Sequence, residues 1–448
     1  MTTPAQGNMA VLGFAPELSE GIRDDTATYA FVKPVLPLNG RFGFAKSPGG
    51  EVNQSGFAEK GVPGPITGAI DFGCRMSVPT YFTLLRTFFR DIAKTTLEAG
   101  VFQYVCEIDR TLAERTLSAI FGIPPVDQMY QHGIKLGQLV AAIGNNTAIN
   151  ARITGQAMHF SRLGEAVADA GNTGTLDGGP PVCRGPLASA AAGNVFVEIT
   201  AVAPLTFKLE QDPGTSPPTM AGSTTVVQQY DADGNAVFVN GLTDVGAEIG
   251  IWAENKDPWM ICFPGTAADH ANIDVGDVFY FPVTWDLPTP TYLAGQRFTS
   301  AHQQNQYSTD GGSTWVDLNT LTSTITIGDP IAADVGSGSR YPFAIDRNGQ
   351  FVALLGFTRK LRDLSFRTIY ETDDDLMFRT YFIGQLLANG PYRESIKFDW
   401  ARLEMLTLTD PASNDQAIVE TVAMRGVAGT GGEAPVTMTV ITDQDYTV

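Results

Sequence analysis

Residues 350–359 read QFVALLGFTR, followed by KLRDLSFRTIYE (360–371), LMFRTYFIG (376–384), ESIKFDWARLEML (394–406) and AIVETVAMRG (417–426). An apolar run, a helix-spaced run and three strand-like runs follow one another as a single supersecondary unit. The same order stands earlier in the chain: GAIDFGCRM (68–76), VPTYFTLLRTFFRDIA (78–93), VFQYVCEID (101–109), then GIKLGQLVAAI (133–143) and TAINARITGQ (147–156) around Gly144-Asn145-Asn146. The offsets stay close: 281 positions from Thr80 to Leu361, 275 from Val101 to Leu376, 262 from Ile134 to Ile396 and 269 from Ile149 to Ile418. Loop insertions account for such drift. A unit used twice in one chain points to a self-assembling structural protein rather than to an enzyme.

Periodicity gives each run its expected structure. Tyr81, Phe82, Leu84, Leu85, Phe88, Phe89 and Ile92 recur at helical spacing, with Arg86, Arg90, Asp91 and Lys94 on the other face. Ser77 or Thr80 is a candidate cap, and Pro79 suits the first turn. A second helix is expected from Leu361, Leu364, Phe366, Ile369 and Tyr370. The strand runs alternate: Phe102, Tyr104, Cys106 and Ile108 oppose Gln103, Glu107 and Asp109, and Ile396, Phe398 and Trp400 oppose Lys397 and Asp399. Each helix is expected on a sheet with one buried and one wet face.

Between the copies the composition changes. Residues 164–194 are rich in Gly and Ala and read as a linker. From Asn194 to about Leu318, short apolar runs (NVFVEITAV, LTFKLEQ, TTVVQQY, WMICF, VFYFPVTW) alternate with turn clusters. The expected organisation is therefore a first repeat domain over 1–193, an inserted β-rich domain over 194–318 and a second repeat domain over 319–448. Residues 40–68 (GRFGFAKSPGGEVNQSGFAEKGVPGPITG) read as a long Gly/Pro-rich loop, either an arm toward a neighbouring subunit or a disordered stretch without function.

The 448 residues carry a net charge of −19, which argues against phosphate-neutralising binding of nucleic acid. Four scattered cysteines and four histidines form no metal-ligand spacing. The N-terminus lacks the basic and apolar regions of a signal peptide, and the apolar stretch 187–205 is broken by Asn194, Glu198 and Pro204. No nucleotide-binding or hydrolase motif is present, so no catalytic group, cofactor or metal ion is expected. Asp231-Ala232-Asp233-Gly234-Asn235 reads as a turn, because Ala236 and Leu242 stand where a calcium loop needs Gly and Glu. Ser308-Thr309-Asp310-Gly311-Gly312-Ser313-Thr314-Trp315 resembles the Asp-box hairpin of sialidases, in a single copy.

The order of elements over 341–426, together with HGIKLGQLVAAIGNNTAINARITGQ (132–156), resembles the tail tube protein of bacteriophages with long non-contractile tails. The resemblance implies a mainly β fold: a duplicated β-sandwich or barrel, each copy with one flanking α-helix. It also implies rings that stack into a tube. Two units per chain imply a ring of three chains with pseudo-sixfold symmetry, and the insert would decorate the outside. Implied partners are further copies of the chain, other tail proteins (tape measure, terminator, distal tail protein) and DNA that passes without sticking, with no membrane involved. Implied locations are the host cytoplasm during synthesis and then the virion tail. On this reading Gln103, Glu107, Asp109, Lys135, Asn150, Arg152, Lys397, Asp399, Thr421 and Arg425 face a net acidic lumen. Two further readings stand beside it. One is a carbohydrate-binding or sialidase-like β protein; the other is a head–tail connector or distal tail ring protein.

Overall fold

Alternation at period two makes strands, and the computed structural model is mainly β. It describes the chain apart from residues 1–10, 20–21, 24–28, 33, 40–41, 48–61, 124–126, 145–146, 162–163, 165, 185–194, 212–224, 233, 238, 241–259, 283–289, 291, 293–294, 335–341, 343, 410–417, 429–432 and 447–448. The first part contains β1 (Val11–Ser19), β2 (Ile22–Arg23), β3 (Ala30–Val32), β4 (Pro34–Asn39), β5 (Phe42–Ser47), β6 (Val62–Arg75), α1 (Val78–Leu85), β7 (Asp91–Glu98), β8 (Val101–Glu107), β9 (Leu117–Ile123), β10 (Asp127–Ile143), β11 (Asn150–Ala157) and β12 (His159–Ser161). Ten short strands follow: β13 (Val167–Ala168), β14 (Val182–Arg184), β15 (Val195–Val202), β16 (Leu205–Gln211), β17 (Thr225–Val227), β18 (Gln229–Tyr230), β19 (Ala236–Val237), β20 (Val239–Asn240), β21 (Met260–Cys262) and β22 (Val278–Phe281). The last part contains β23 (Gln303–Ser308), β24 (Val316–Leu318), β25 (Thr322–Gly328), β26 (Ile331–Asp334), β27 (Ala344–Arg347), β28 (Val352–Lys360), α2 (Ser365–Thr372), β29 (Leu376–Leu386), β30 (Arg393–Thr409), β31 (Val419–Gly426) and β32 (Thr437–Thr442).

Twenty strands belong to one hydrogen-bonded, barrel-like system with branches. Its pairings follow the same order in both parts of the chain. In the first, β3, β1, β9, β10, β11, β6 and β5 pair in succession, all antiparallel. In the second, β24, β23, β29, β30, β31, β28 and β25 do the same. The two long strands β10 and β30 are each 17 residues and shift register at corresponding places. The irregularity at Gln131/Ile134 of β10 answers that at Trp400/Leu403 of β30, and Leu136/Gln138 answers Met405/Thr407, each 269 positions on. Such bulges bend a strand, so each long strand passes from one sheet into another. Its first half pairs with β12 in one part and β32 in the other. The two parts meet edge to edge where β10 pairs with β25 through six consecutive residues, Gln138↔Gly328 to Ile143↔Ser323.

Three local expectations need correction. The helix over 78–93 ends at Leu85, and it is buried on every side rather than amphipathic. Its few polar groups turn inward: Thr83 Oγ1 donates to Pro79 O at 2.8 Å and Ser77 Oγ to Thr80 Oγ1 at 3.0 Å. A helix apolar all round belongs in a core. The remaining residues form a tight turn and then β7, which pairs with β8 about Gly100 at φ 75°. This hairpin is extra, so the counterpart of β29 is β9 and not the 101–109 strand. The 40–68 segment is not all loop either. Its flanks are β5 and β6, paired from Phe42↔Gly68 to Ser47↔Val62, and 48–61 lies outside the described residues.

Domain boundaries also shift. A second core gathers Cys183, Val195, Val197, Ile199, Phe207, Phe263, Phe279 and Phe281. Its strands begin with β13 and end with β22, so 164–193 contributes strands rather than only a linker. Residues from Phe298 onward join the main core instead of the insert. Gly164 N donates to Pro282 O at 2.8 Å, so the insert leaves and rejoins the chain at neighbouring points.

Candidate assembly surface

The joint between β10 and β25 makes one sheet of β6, β11, β10, β25, β28, β31 and β30. Paired residues point to the same face, and one row crosses all seven strands: Gly73, Arg152, Val140, Thr326, Leu354, Arg425, Glu404. Asn150, Arg152, Thr421 and Arg425 therefore share the outward face of this sheet, and all four are exposed. Its arginines are paired. Arg152 grips Asp71 with Nε at 2.8 Å and Nη2 at 2.6 Å, and that hydrogen bond holds the Asp71 carboxyl below its usual range. Arg425 meets Glu404 at 2.5 Å.

Four other residues of the expected set sit elsewhere. Beyond its bend β30 pairs with β29 on one edge and β32 on the other, and β32 with β8. Gln103, Glu107, Lys397 and Asp399 lie on the outward face of this second sheet. Lys397 Nζ is 2.6 Å from Asp399 Oδ2, and Arg379 Nε is 2.9 Å from Oδ1. The inner faces of the two sheets pack on the same core, with the Phe357 ring of β28 stacked 5.8 Å from that of Phe378 of β29. The two wet faces therefore look away from each other, and the ten residues do not line one surface. Asp109 lies past the end of β8, where its carboxylate accepts from Thr111 N at 2.8 Å and Oγ1 at 2.6 Å. The Thr111 hydroxyl holds its pKa down.

Lys135 is the clearest correction. Register puts it on the outward side, opposite Gln156, yet it is 5% exposed. Its ammonium donates to Ile345 O at 2.7 Å and meets Glu114 at 2.8 Å. It belongs to an ion cluster that the sequence did not show, because its members lie far apart along the chain. Arg90 reaches Glu114 at 2.9 Å, Arg347 reaches Glu114 at 3.2 Å and Asp329 at 3.5 Å, and Arg110 also pairs with Asp329. Burial raises the Glu114 pKa, but the Lys135 hydrogen bond and the nearby cations outweigh it, so the net direction is down. Arg347 Nη1 also donates to Leu136 O at 3.2 Å, and Asp329 N to Gly137 O at 2.9 Å. The cluster thus pins the β10–β25 joint.

The Asp-box stretch is the β23–β24 hairpin. Asp310 Oδ1 accepts from Ser308 Oγ at 2.7 Å and Thr314 N at 2.8 Å, which lowers its pKa to about 2. Arg379 covers the Trp315 ring at 3.6 Å. Both side chains serve the turn and its packing. The DADGN turn joins β18 to β19, with Asp231 Oδ1 accepting from Asn235 N at 2.8 Å. The four cysteines are buried thiols outside any disulfide, and burial pushes the Cys74 and Cys106 thiols up to about 12. No protein-family model matches the chain, and comparison with curated proteins finds no match.

Proposed function

We propose that this chain is a virion structural protein that assembles into rings of three chains, stacked into a phage tail tube that conducts DNA. The observation that carries the reading is the pairing order used twice, with the two sets joined strand to strand into one sheet. A chain holding two such units resembles a segment of a larger ring, and repeating the joint extends the sheet from chain to chain. Closing it also removes exposed strand edges. The lumen wall is then the seven-stranded sheet with Asn150, Arg152, Thr421 and Arg425, while Gln103, Glu107, Lys397 and Asp399 face outward. On that wall Arg152 and Arg425 are each tied to a carboxylate. Paired cations release few counterions from DNA, so DNA slides without sticking. This replaces the expectation of a net acidic wall.

Negative-stain microscopy of the purified, concentrated chain tests the reading. Rings and tubes are the expected result; particles that stay single at every concentration contradict it. Rings that never stack would favour a connector or distal ring protein instead.

A further inference from the structure

We propose that the second half of β30 and the edge formed by the end of β4 and the start of β5 are two halves of one intermolecular joint, and that each binds the other in a second copy of this chain. The inference rests on the ring reading and names the strands that make the contact. It comes from the joint already present inside the chain.

In the first part of the molecule, β10 is covered on both edges beyond its bulge, by β11 and by β25. In the second part, Thr407–Thr409 match Gln138–Val140 and have β31 on one edge, and among the described residues no strand pairs with the other. The mirror vacancy lies where β4 runs into β5: Leu38↔Phe72 answers Ser323↔Phe357 and Phe42↔Gly68 answers Ile327↔Ala353, so β25 matches the end of β4 and the start of β5. β25 pairs with β28 on one side and β10 on the other. β4 and β5 pair with β6, and among the described residues no strand pairs with their outer edge. One molecule therefore carries each half of a joint that it also carries complete.

Burial supports the same conclusion. Leu136 and Leu139, beside the covered edge, are both 0% exposed. Their counterparts Met405 and Leu408 are only partly buried, and Leu406 is 41% exposed. A partly apolar edge left open is a template for another strand. The bulge residue differs between the two. Gly137 lets Ile331 close over it, with room so tight that a Cβ would lie 3.0 Å from Ile331 Cγ1. Leu406 instead brings its own apolar side chain to the contact.

The register follows from the internal match. β30 runs 269 positions after β10, and Phe357 of β28 stands 285 after Phe72 of β6, as Ile327 does after Phe42. The pairs Leu139↔Ile327 and Gln138↔Gly328 thus become Leu408↔Phe42 and Thr407↔Gly43 between chains. The contact is head to tail, the type that generates a ring when its rotation closes.

The test mixes two full-length variants, Leu408→Cys and Phe42→Cys, under assembly conditions and oxidises them. Facing residues of antiparallel strands lie about 4.5–5.5 Å apart at Cα, within disulfide reach. A reducible dimer containing one chain of each variant is the expected product. Leu408→Cys mixed with Ser47→Cys, displaced by about 17 Å along the strand, should give none. The unmodified chain supplies a second readout: backbone amides of 407–409 should gain on the order of tenfold or more protection from hydrogen exchange when it assembles. Assembled particles in which neither the cross-link nor the protection appears would overturn this joint and leave the tube reading standing. A chain that forms no particles at all would sink both.

Discussion

Lys135 and Arg152 lie on the same side of one sheet, yet one is buried in an ion cluster and the other is exposed. Strand alternation, legible in the sequence, assigns the face. What covers the face depends on residues 210 and more positions away, such as Ile345, and no local pattern reports that. The cluster gives a test. Asp329 is buried between Arg110 and Arg347. Asp329→Ala leaves Arg110 without its carboxylate and Arg347 with Glu114 alone, and should cost about 1–3 kcal/mol, measured by urea unfolding. A loss under about 0.5 kcal/mol would place Asp329 among ordinary surface residues. Asp310 gives a pH test. Its folded pKa is about 2 against 3.8 for the free group, so its contribution is complete above about pH 4 and is lost as pH falls toward 2. Trp315 fluorescence should report this loosening of the hairpin, and Asp310→Asn should flatten the response over that range. An unchanged profile in Asp310→Asn would assign the transition to another group.

At the scale of elements, both helices and strands such as β8, β10, β11, β28, β29, β30 and β31 were visible in the sequence, while β9, β25 and β32 were not read, β5 lay in an expected loop, and the helix at 78–93 was read too long. The apolar spacing continues through Phe88 and Phe89, which stay buried in the turn after α1. Burial continued while the helix stopped. The β-branched residues Ile92, Thr95 and Thr96 then take the strand β7. The two helices should respond differently to charge. Thr83 of α1 is buried with its hydroxyl bonded to Pro79 O, so Thr83→Lys should abolish soluble protein. Thr368 of α2 is exposed, and Thr368→Lys should change stability by no more than about 0.5 kcal/mol in chemical denaturation. Equal tolerance at both sites would mean that α1 is not in the core.

At the scale of the molecule, the sequence suggested a repeated order of runs, and the strand pairings that match between the two parts follow another alignment. The β7–β8 hairpin separates α1 from β9 and displaces the match by one strand. The change of composition near residue 194 does not coincide with the start of the second core, because β13 and β14 lie in Gly-rich sequence, and β23 to β25 lie in sequence that resembles the 194–318 stretch. The adjacency of Gly164 and Pro282 leads to a specific excision. Replacing residues 165–281 with a short Gly/Ser linker should leave a cooperatively folding chain that still assembles, since among the described residues the main core draws no side chain from that span. Loss of soluble protein would show that the two cores depend on each other.

The central claim is that each chain supplies two positions of a closed ring. Native mass spectrometry of isolated rings tests it most directly. A mass of three chains is expected, with no larger closed species; a ring of six chains would show that the two units of each chain do not occupy equivalent places in the wall.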